Sequence, residues 1–469
     1  MATASNSTEQ HIDPWNVKGG AKGFDYLKLL NQFGTHPITP AIIERIERLT
    51  NMRVHRFLRR GLFFSQQYLE QLLDHYEAGK LIFLYTGRGP SSEAMHLGHM
   101  IPFEFTAYLQ KAFQCILVVQ MSDDEKYYFK GGDLDNYRRL TRENAKDIIA
   151  CGFDHDRTYI FSNFDEIANG NPGLWRNVTE LSSYTGVNTV RSTFGLNKLF
   201  LKNNDTSDAD GQDTQDASDN DVTQVKPGAT PCSVGMMSWP VYQAAPCLAS
   251  SFKRIFADIK EPDKNVFNLV PMAVDQAPYF RLMNDFCGFK NVLKPAQIHA
   301  EFLISLAGRN SKMSSTDDSI PPIYLTDKPD EIRKKIRKCF SGGGDTLAKH
   351  NEFGADLTVD VPYQWLLIFL EDDEQLKKIA HAYGPPTDGQ VRMLTSEIKN
   401  IMCECVVQYV GRHQQQRKCV TEEVLNTYFD PTRKFNLERQ HREPIELLSD
   451  AQYNTQGANF DRYFGLYDK

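Results

Sequence analysis

Leu81-Ile-Phe-Leu-Tyr-Thr-Gly-Arg-Gly-Pro90 decides the fold of this chain. An apolar run through Tyr85 passes straight into a Gly-rich turn, and His96-Leu-Gly-His99 follows shortly after. A short apolar run bounded by a turn reads as a strand buried on both faces. Ile116–Gln120, Tyr159–Phe161 and Val266–Val270 are runs of the same kind. Between them, Met95–Phe113 and Leu134–Cys151 read as helices. Strand–helix–strand alternation predicts an α/β unit whose parallel sheet is covered on both faces.

The polar residues around this frame point to phosphate chemistry. His96 and His99 are three apart, which puts them on one face of a helix near its start. Gly98 between them has no side chain, so a flat ring or a ribose can approach the backbone. A helix N-terminus offers backbone N–H groups and the positive end of a dipole to phosphate. Far downstream, Lys312-Met-Ser-Ser-Thr316 lies on a polar, Ser-rich segment, so the chain must return to close one site. A lone Lys on such a loop is more often a solvated charge. Here hydroxyls surround it, and it suits stabilisation of charge on a leaving pyrophosphate. No nucleophile pairing of the Ser/His/Asp or Cys/His kind is evident. In-line displacement at phosphorus by a substrate carboxylate needs none.

Bulk properties set the limits. The chain has 469 residues, enough for two or three domains with substantial cores. No uninterrupted apolar stretch suits a membrane span. The start, Met1-Ala-Thr-Ala-Ser-Asn, has no signal-peptide pattern and the first Arg is Arg45, so the cytosol is expected. Nine cysteines without a CxxC pair are expected to be free thiols. The net charge of −7 is concentrated locally: residues 205–221 hold seven Asp and no Lys, Arg or Glu, leaving the remainder neutral. Within that remainder, Arg53–Arg60, Arg333–Lys338 and Arg412–Lys418 are basic clusters, which modestly favour a polyanionic partner.

Three regions are expected. Residues 1–78 form an N-terminal extension, polar up to residue 20 and helical over 24–78. Residues 79–355 hold the α/β unit, interrupted at 203–225 by an Asp/Asn/Ser-rich insertion that cannot repay its ordering by burial. Residues 356–469 are all-helical, with Tyr363–Leu370, Val391–Val410 and Thr421–Tyr428 as helices, a break at Pro385-Pro386 and a tail without a clear assignment.

Thr86-Gly-Arg-Gly-Pro-Ser-Ser-Glu-Ala-Met-His-Leu-Gly-His99 resembles the first signature of class I aminoacyl-tRNA synthetases, in the form of their eukaryotic cytosolic tryptophanyl members. Similar segments follow in order: Gln120-Met-Ser-Asp-Asp-Glu-Lys126, Gln243-Ala-Ala-Pro246, Asp275-Gln-Ala-Pro-Tyr-Phe-Arg281 and Phe340-Ser-Gly-Gly343. The resemblance covers roughly residues 12–435.

It implies a Rossmann-like catalytic domain, a helical anticodon-binding domain and a homodimer. The implied substrates are tryptophan, ATP with Mg2+ and the tRNA for tryptophan. Tyr85 and Gln120 match positions that bind the indole N–H. Glu125, Gln243 and Gln276 match those that grip the amino and carboxylate ends. Gly87, Arg88, Gly89, His96, Gly98 and His99 match the ATP side. Lys312, Met313 and Ser314 match the mobile phosphate loop, and His96, His99 and Lys312 are the expected catalytic residues. Asp13-Pro-Trp15 resembles a stretch that folds over the nucleotide.

The related tyrosyl enzymes typically place an Asp three residues after the first Gln of the Gln243 segment, to receive a phenol. Here that position is Pro246. The loop pentad departs from the usual pattern at Ser315 and Thr316, leaving Lys312 as its one strong cation. The wider His-x-Gly-His nucleotidyltransferases are generally smaller and lack a helical tRNA-reading domain, against which residues 360–435 speak. A synthetase-like binding protein without activity would not need the two His, Lys312 and the tryptophan-side set together.

Overall fold

The computed structural model describes residues 11–12, 17–18, 25–168, 170–193, 233–312, 320–386 and 392–447. The acidic insertion at 203–225, the Asp13–Trp15 stretch, Met313, Ser314 and the tail from 448 onward lie outside the described residues.

A seven-stranded sheet organises the chain. In chain order its strands are β1 (His36–Pro37), β2 (Phe63–Gln67), β3 (Leu81–Arg88), β4 (Ile116–Met121), β5 (Thr158–Ser162), β6 (Val266–Ala273) and β7 (Ala296–Ala300). Their spatial order is β1-β2-β7-β6-β3-β4-β5. Strands β7, β6, β3, β4 and β5 are mutually parallel, while β1 and β2 close one edge antiparallel. The four expected strands are therefore present. Their near-continuous apolar character matches burial on both faces, with every residue of β4 and β5 buried. Connections leave β3 toward β4 on one side and return to β6 on the other. Parallel α/β sheets place ligand crevices at such a switch point, beyond the carboxyl ends of the strands.

The helical reading of 24–78 missed β1 and β2, although Tyr26–Phe33, Pro40–Thr50 and Leu69–Glu77 are helical. The basic cluster Arg53–Arg60 also differs from its expected role. Arg60 is 1% exposed, donates to the carbonyls of Leu367 and Leu370 at 3.0 and 2.6 Å and pairs with Asp373. Arg56 binds Glu104 at 2.6 Å and the carbonyl of Ile368 at 2.7 Å. These guanidinium groups staple the α/β unit to the C-terminal helices instead of facing a polyanion.

No strand follows Lys312 among the described residues. The helices Pro329–Arg337 and Val361–Phe369 pack on the long helix Thr395–Lys418. The Asp373–Tyr383 helix stops just before Pro385-Pro386. None of the eight described cysteines is in a disulfide, and among the described residues no helix is long and apolar enough to cross a membrane.

Candidate active site

The expected crevice is present as a cavity of about 340 Å³ at the carboxyl ends of β3, β4 and β6. Its lining includes Tyr85, Gln120, Glu125, Gln243 and Gln276, and also Gly87, Arg88, Gly89, His96, Gly98 and His99. Segments up to about 190 residues apart in sequence thus meet in one space because adjacent parallel strands end together.

Tyr85 sits at the end of the apolar part of β3 and Gln120 at the end of β4. The Tyr85 hydroxyl donates to Gln120 Oε1 at 2.5 Å and approaches the carbonyl of Gln243 at 2.7 Å. Burial pushes the Tyr85 phenol well above its ordinary range, so it stays neutral. Gln120 uses its amide N–H groups elsewhere, donating to Asn163 Oδ1 at 2.8 Å and to the carbonyl of Tyr242 at 3.0 Å. Its oxygen therefore faces Tyr85, and this pair presents lone pairs beside apolar walls that include Trp239 and Phe280.

Two further pairs complete this end. Gln243 Nε2 donates to Gln276 Oε1 at 3.2 Å. Glu125 accepts from Ser122 Oγ at 2.9 Å and from Lys126 Nζ at 3.0 Å. Ser122 also donates its backbone N–H to the carbonyl of Arg88 at 2.9 Å, joining the turns after β3 and β4. A Cβ at Gly89 would lie 2.5 Å from Glu125 Oε2 and 2.4 Å from Lys126 Cε, so the bare glycine lets the charged pair rest against the turn.

The other end is built on the Leu97–Phe113 helix. His96 is its N-cap, in extended conformation, and His99 occupies the third helical position. Their rings stack with centroids 3.6 Å apart, and the His96 backbone N–H points to His99 Nδ1 at 3.4 Å. The return of the chain is visible here. Leu97 donates its N–H to the carbonyl of Ile323, and Leu325 donates to that of Met95. The segment just past the Ser-rich loop is thus bonded to the start of the helix. On the near side of that loop, Ile304–Ser305 and Gly308–Lys312 form an antiparallel ribbon that brings the backbone of Lys312 to its end. Val17–Lys18, paired with His11–Ile12, lies beside this ribbon.

Several participating residues escaped the sequence reading: Asn163, which holds Gln120; Lys126, which holds Glu125; and the apolar walls Trp239 and Phe280. Lys126 and Phe280 lay inside segments already singled out, and Asn163 had a signal as a polar residue at the carboxyl end of a buried parallel strand.

Comparison with known proteins identifies the family. The family described as tRNA synthetases class I (W and Y) matches residues 77–200 and 217–383. The cytoplasmic tryptophan–tRNA ligase of Dictyostelium discoideum is 42% identical over 92% of this chain and 98% of its own length. The solved tryptophanyl-tRNA synthetase of Plasmodium falciparum superposes with a TM-score of 0.72 at 37% identity, covering 87% of this chain and 96% of its own. That of Encephalitozoon cuniculi, bound to tryptophan, gives 0.67 at 32% identity, covering 87% and 99%. The chain belongs to the class I tRNA synthetases of the W and Y type, alongside the tryptophan–tRNA ligases.

Proposed function

We propose that this chain is a cytoplasmic tryptophan–tRNA ligase working in two steps. The tryptophan carboxylate attacks the α-phosphorus of ATP. The new bond joins carboxylate oxygen to phosphorus, the bond to the bridging oxygen breaks, and pyrophosphate leaves. A hydroxyl of the terminal tRNA ribose then attacks the tryptophanyl carbonyl carbon, the acyl–phosphate bond breaks, and AMP leaves.

Residues 79–355 carry the activation, with β1 and β2 from residues 1–78 completing the sheet. Residues 356–469 contribute the anticodon-binding helices and a tail; among the described residues the last helix ends at Phe429. Tyr85 and Gln120 accept the indole N–H, while Glu125, Gln243 and Gln276 hold the amino and carboxylate ends. His96 and His99, with Gly87, Arg88, Gly89 and Gly98, receive ATP. Lys312, Met313 and Ser314 serve the departing phosphates. Catalysis in this reading is positioning and electrostatics, as phosphoryl chemistry requires.

The observation that carries this reading is the Tyr85–Gln120 pair. It sets an oxygen-rich point in an apolar slot facing a helix start that bears two histidines. The tyrosyl alternative lacks its acceptor: Pro246 is buried in the short turn Ala245–Cys247 and offers no side-chain polar atom. A site built to pair one polar group strongly rejects an analogue that mismatches it.

Magnesium enters with ATP and would be held by its phosphate oxygens, where it neutralises charge. A homodimer across the segment between the two signatures is part of the same reading. Its support is the exposed Trp175, Tyr184, Val187 and Phe289, with the rings of Tyr184 and Phe289 5.2 Å apart. Sedimentation of Phe289→Asp beside the parent chain tests it, and a monomer is expected for the variant.

ATP–pyrophosphate exchange with tryptophan and tyrosine in parallel tests the function. Exchange with tryptophan alone is expected; exchange with tyrosine alone would overturn the assignment.

A further inference from the structure

Behind the Tyr85–Gln120 pair lies a chain of buried side chains that does not touch the cavity. Asn163, 2% exposed, stands between Gln120 and Asp124, itself 8% exposed. Neither Asn163 nor Asp124 lines the crevice. Asn163 Oδ1 accepts from Gln120 Nε2 at 2.8 Å, and Asn163 Nδ2 donates to Asp124 Oδ1 at 2.9 Å.

We propose that Asp124 and Asn163 are positioning residues for tryptophan: they fix which end of the Gln120 amide faces the indole. This inference rests on the functional reading above and adds the determinant that gives Gln120 its direction.

The argument is one of hydrogen-bond polarity. A primary amide has one accepting and one donating end, and little else distinguishes them in shape. Gln120 recognises an N–H only with its oxygen toward the slot. The direction must be imposed from outside, and two backbone groups of fixed polarity impose it: the Tyr242 carbonyl, which accepts from Gln120 Nε2 at 3.0 Å, and a backbone amide that acts through Asp124 and Asn163. The N–H of Glu125 donates to Asp124 Oδ1 at 2.8 Å. That oxygen is therefore held as an acceptor. Burial pushes the Asp124 carboxyl up to about 7, with the Asn163 hydrogen bond opposing and the neighbouring Asp123 adding to the rise. A proton taken up near neutral pH belongs on the other oxygen, because Oδ1 already receives two donors. Asn163 must then turn its NH2 to Asp124 and its oxygen to Gln120. Gln120 must turn its NH2 to Asn163 and Tyr242, leaving Oε1 for Tyr85 and the substrate.

The backbone around Asn163 is clamped as well. Asp123 accepts from Ser162 Oγ at 2.5 Å and from the Phe164 backbone N–H at 3.2 Å, one partner on either side of Asn163. Adjacent acids thus divide the work: Asp123 holds the turn and Asp124 sets the amide.

The test is exchange kinetics with tryptophan and with an isosteric benzothienyl-alanine, which keeps the bicyclic shape but has no N–H. In Asn163→Ala, the KM for tryptophan is expected to rise at least about ten-fold, the cost of a misdirected buried hydrogen bond. The preference for tryptophan over the isostere should fall by a similar factor, while the KM for ATP stays unchanged and kcat falls less than KM rises. Asp124→Asn keeps an oxygen under the Glu125 N–H and should retain that preference. Asn163→Ser replaces the alanine variant if the latter fails to fold. The proposal is overturned if the preference is unaltered in folded Asn163 variants, if tryptophan and isostere lose equally, or if Asp124→Asn loses as much as Asn163→Ala. The parent enzyme's choice between tryptophan and tyrosine, measured alongside, reports separately on the functional assignment.

Discussion

At the β3–β4 end of the cavity, nearly every polar side chain has a named partner: Tyr85 with Gln120, Gln120 with Asn163, Asn163 with Asp124, Gln243 with Gln276. At the helix end, backbone bonds make the return of the chain. Leu97 and Met95 join Ile323 and Leu325, and the ribbon to Lys312 closes by strand pairing. The contrast follows from what each end must do. Telling one side chain from another depends on neutral dipoles held in one direction, since a misdirected buried donor or acceptor costs more than the bond was worth. Handling phosphate depends on charge brought near at the right moment. In the proposed function one end is set for selection and the other for turnover, and the sheet's carboxyl edge serves both.

The comparison can be broken most directly beneath the phosphate end. Trp365 is fully buried in the Val361–Phe369 helix and donates its Nε1–H to the carbonyl of Ile304 at 3.1 Å, in the ribbon that leads to Lys312. Trp365→Ala should cost about 3–5 kcal/mol of stability in urea melts. If the two ends are separable, the surviving folded enzyme keeps its preference for tryptophan over tyrosine. Next in size is Lys312→Ala, expected to slow exchange about 10²–10³-fold while leaving tryptophan affinity nearly unchanged. Equal losses in rate and affinity would remove the distinction between the ends. Gln120→Ala should act in the opposite sense, raising the KM for tryptophan by about 1–3 kcal/mol with a smaller effect on kcat. The smallest effect is expected from Tyr85→Phe, about 1 kcal/mol in the same parameter, because Gln120 keeps its other partners. A larger loss for Tyr85→Phe than for Gln120→Ala would make the tyrosine the principal acceptor.

The strands Leu81–Arg88, Ile116–Met121, Thr158–Ser162 and Val266–Ala273 were legible because strands buried on both faces must be apolar throughout. Strand β7 was not, because Ala296-Gln-Ile-His-Ala300 alternates polar residues into a buried site. His299 is buried beside Ser65 Oγ at 3.0 Å, and burial lowers its pKa to about 4, so it stays neutral; Gln297 bonds Gln67 at 3.0 Å. Those partners belong to β2, more than two hundred residues away, and no local pattern announces them. Arg53–Arg60 shows the same limit for charge. Sequence displays a basic cluster, while the fold supplies the carbonyls and carboxylates that turn it inward.

The site divides similarly. Periodicity and the Gly-rich turn were enough to anticipate a parallel sheet, and the cavity lies at its carboxyl end beside His96 and His99, because strand burial and helix-start geometry are local consequences of residue type. Similarity to known synthetases added the tryptophan-side residues. The direction in which Gln120 points was decided by the fold alone. It depends on a hydrogen-bond chain through Asn163 and Asp124, from two separate segments, and on two backbone groups, the Glu125 N–H and the Tyr242 carbonyl, whose polarity the amide cannot choose.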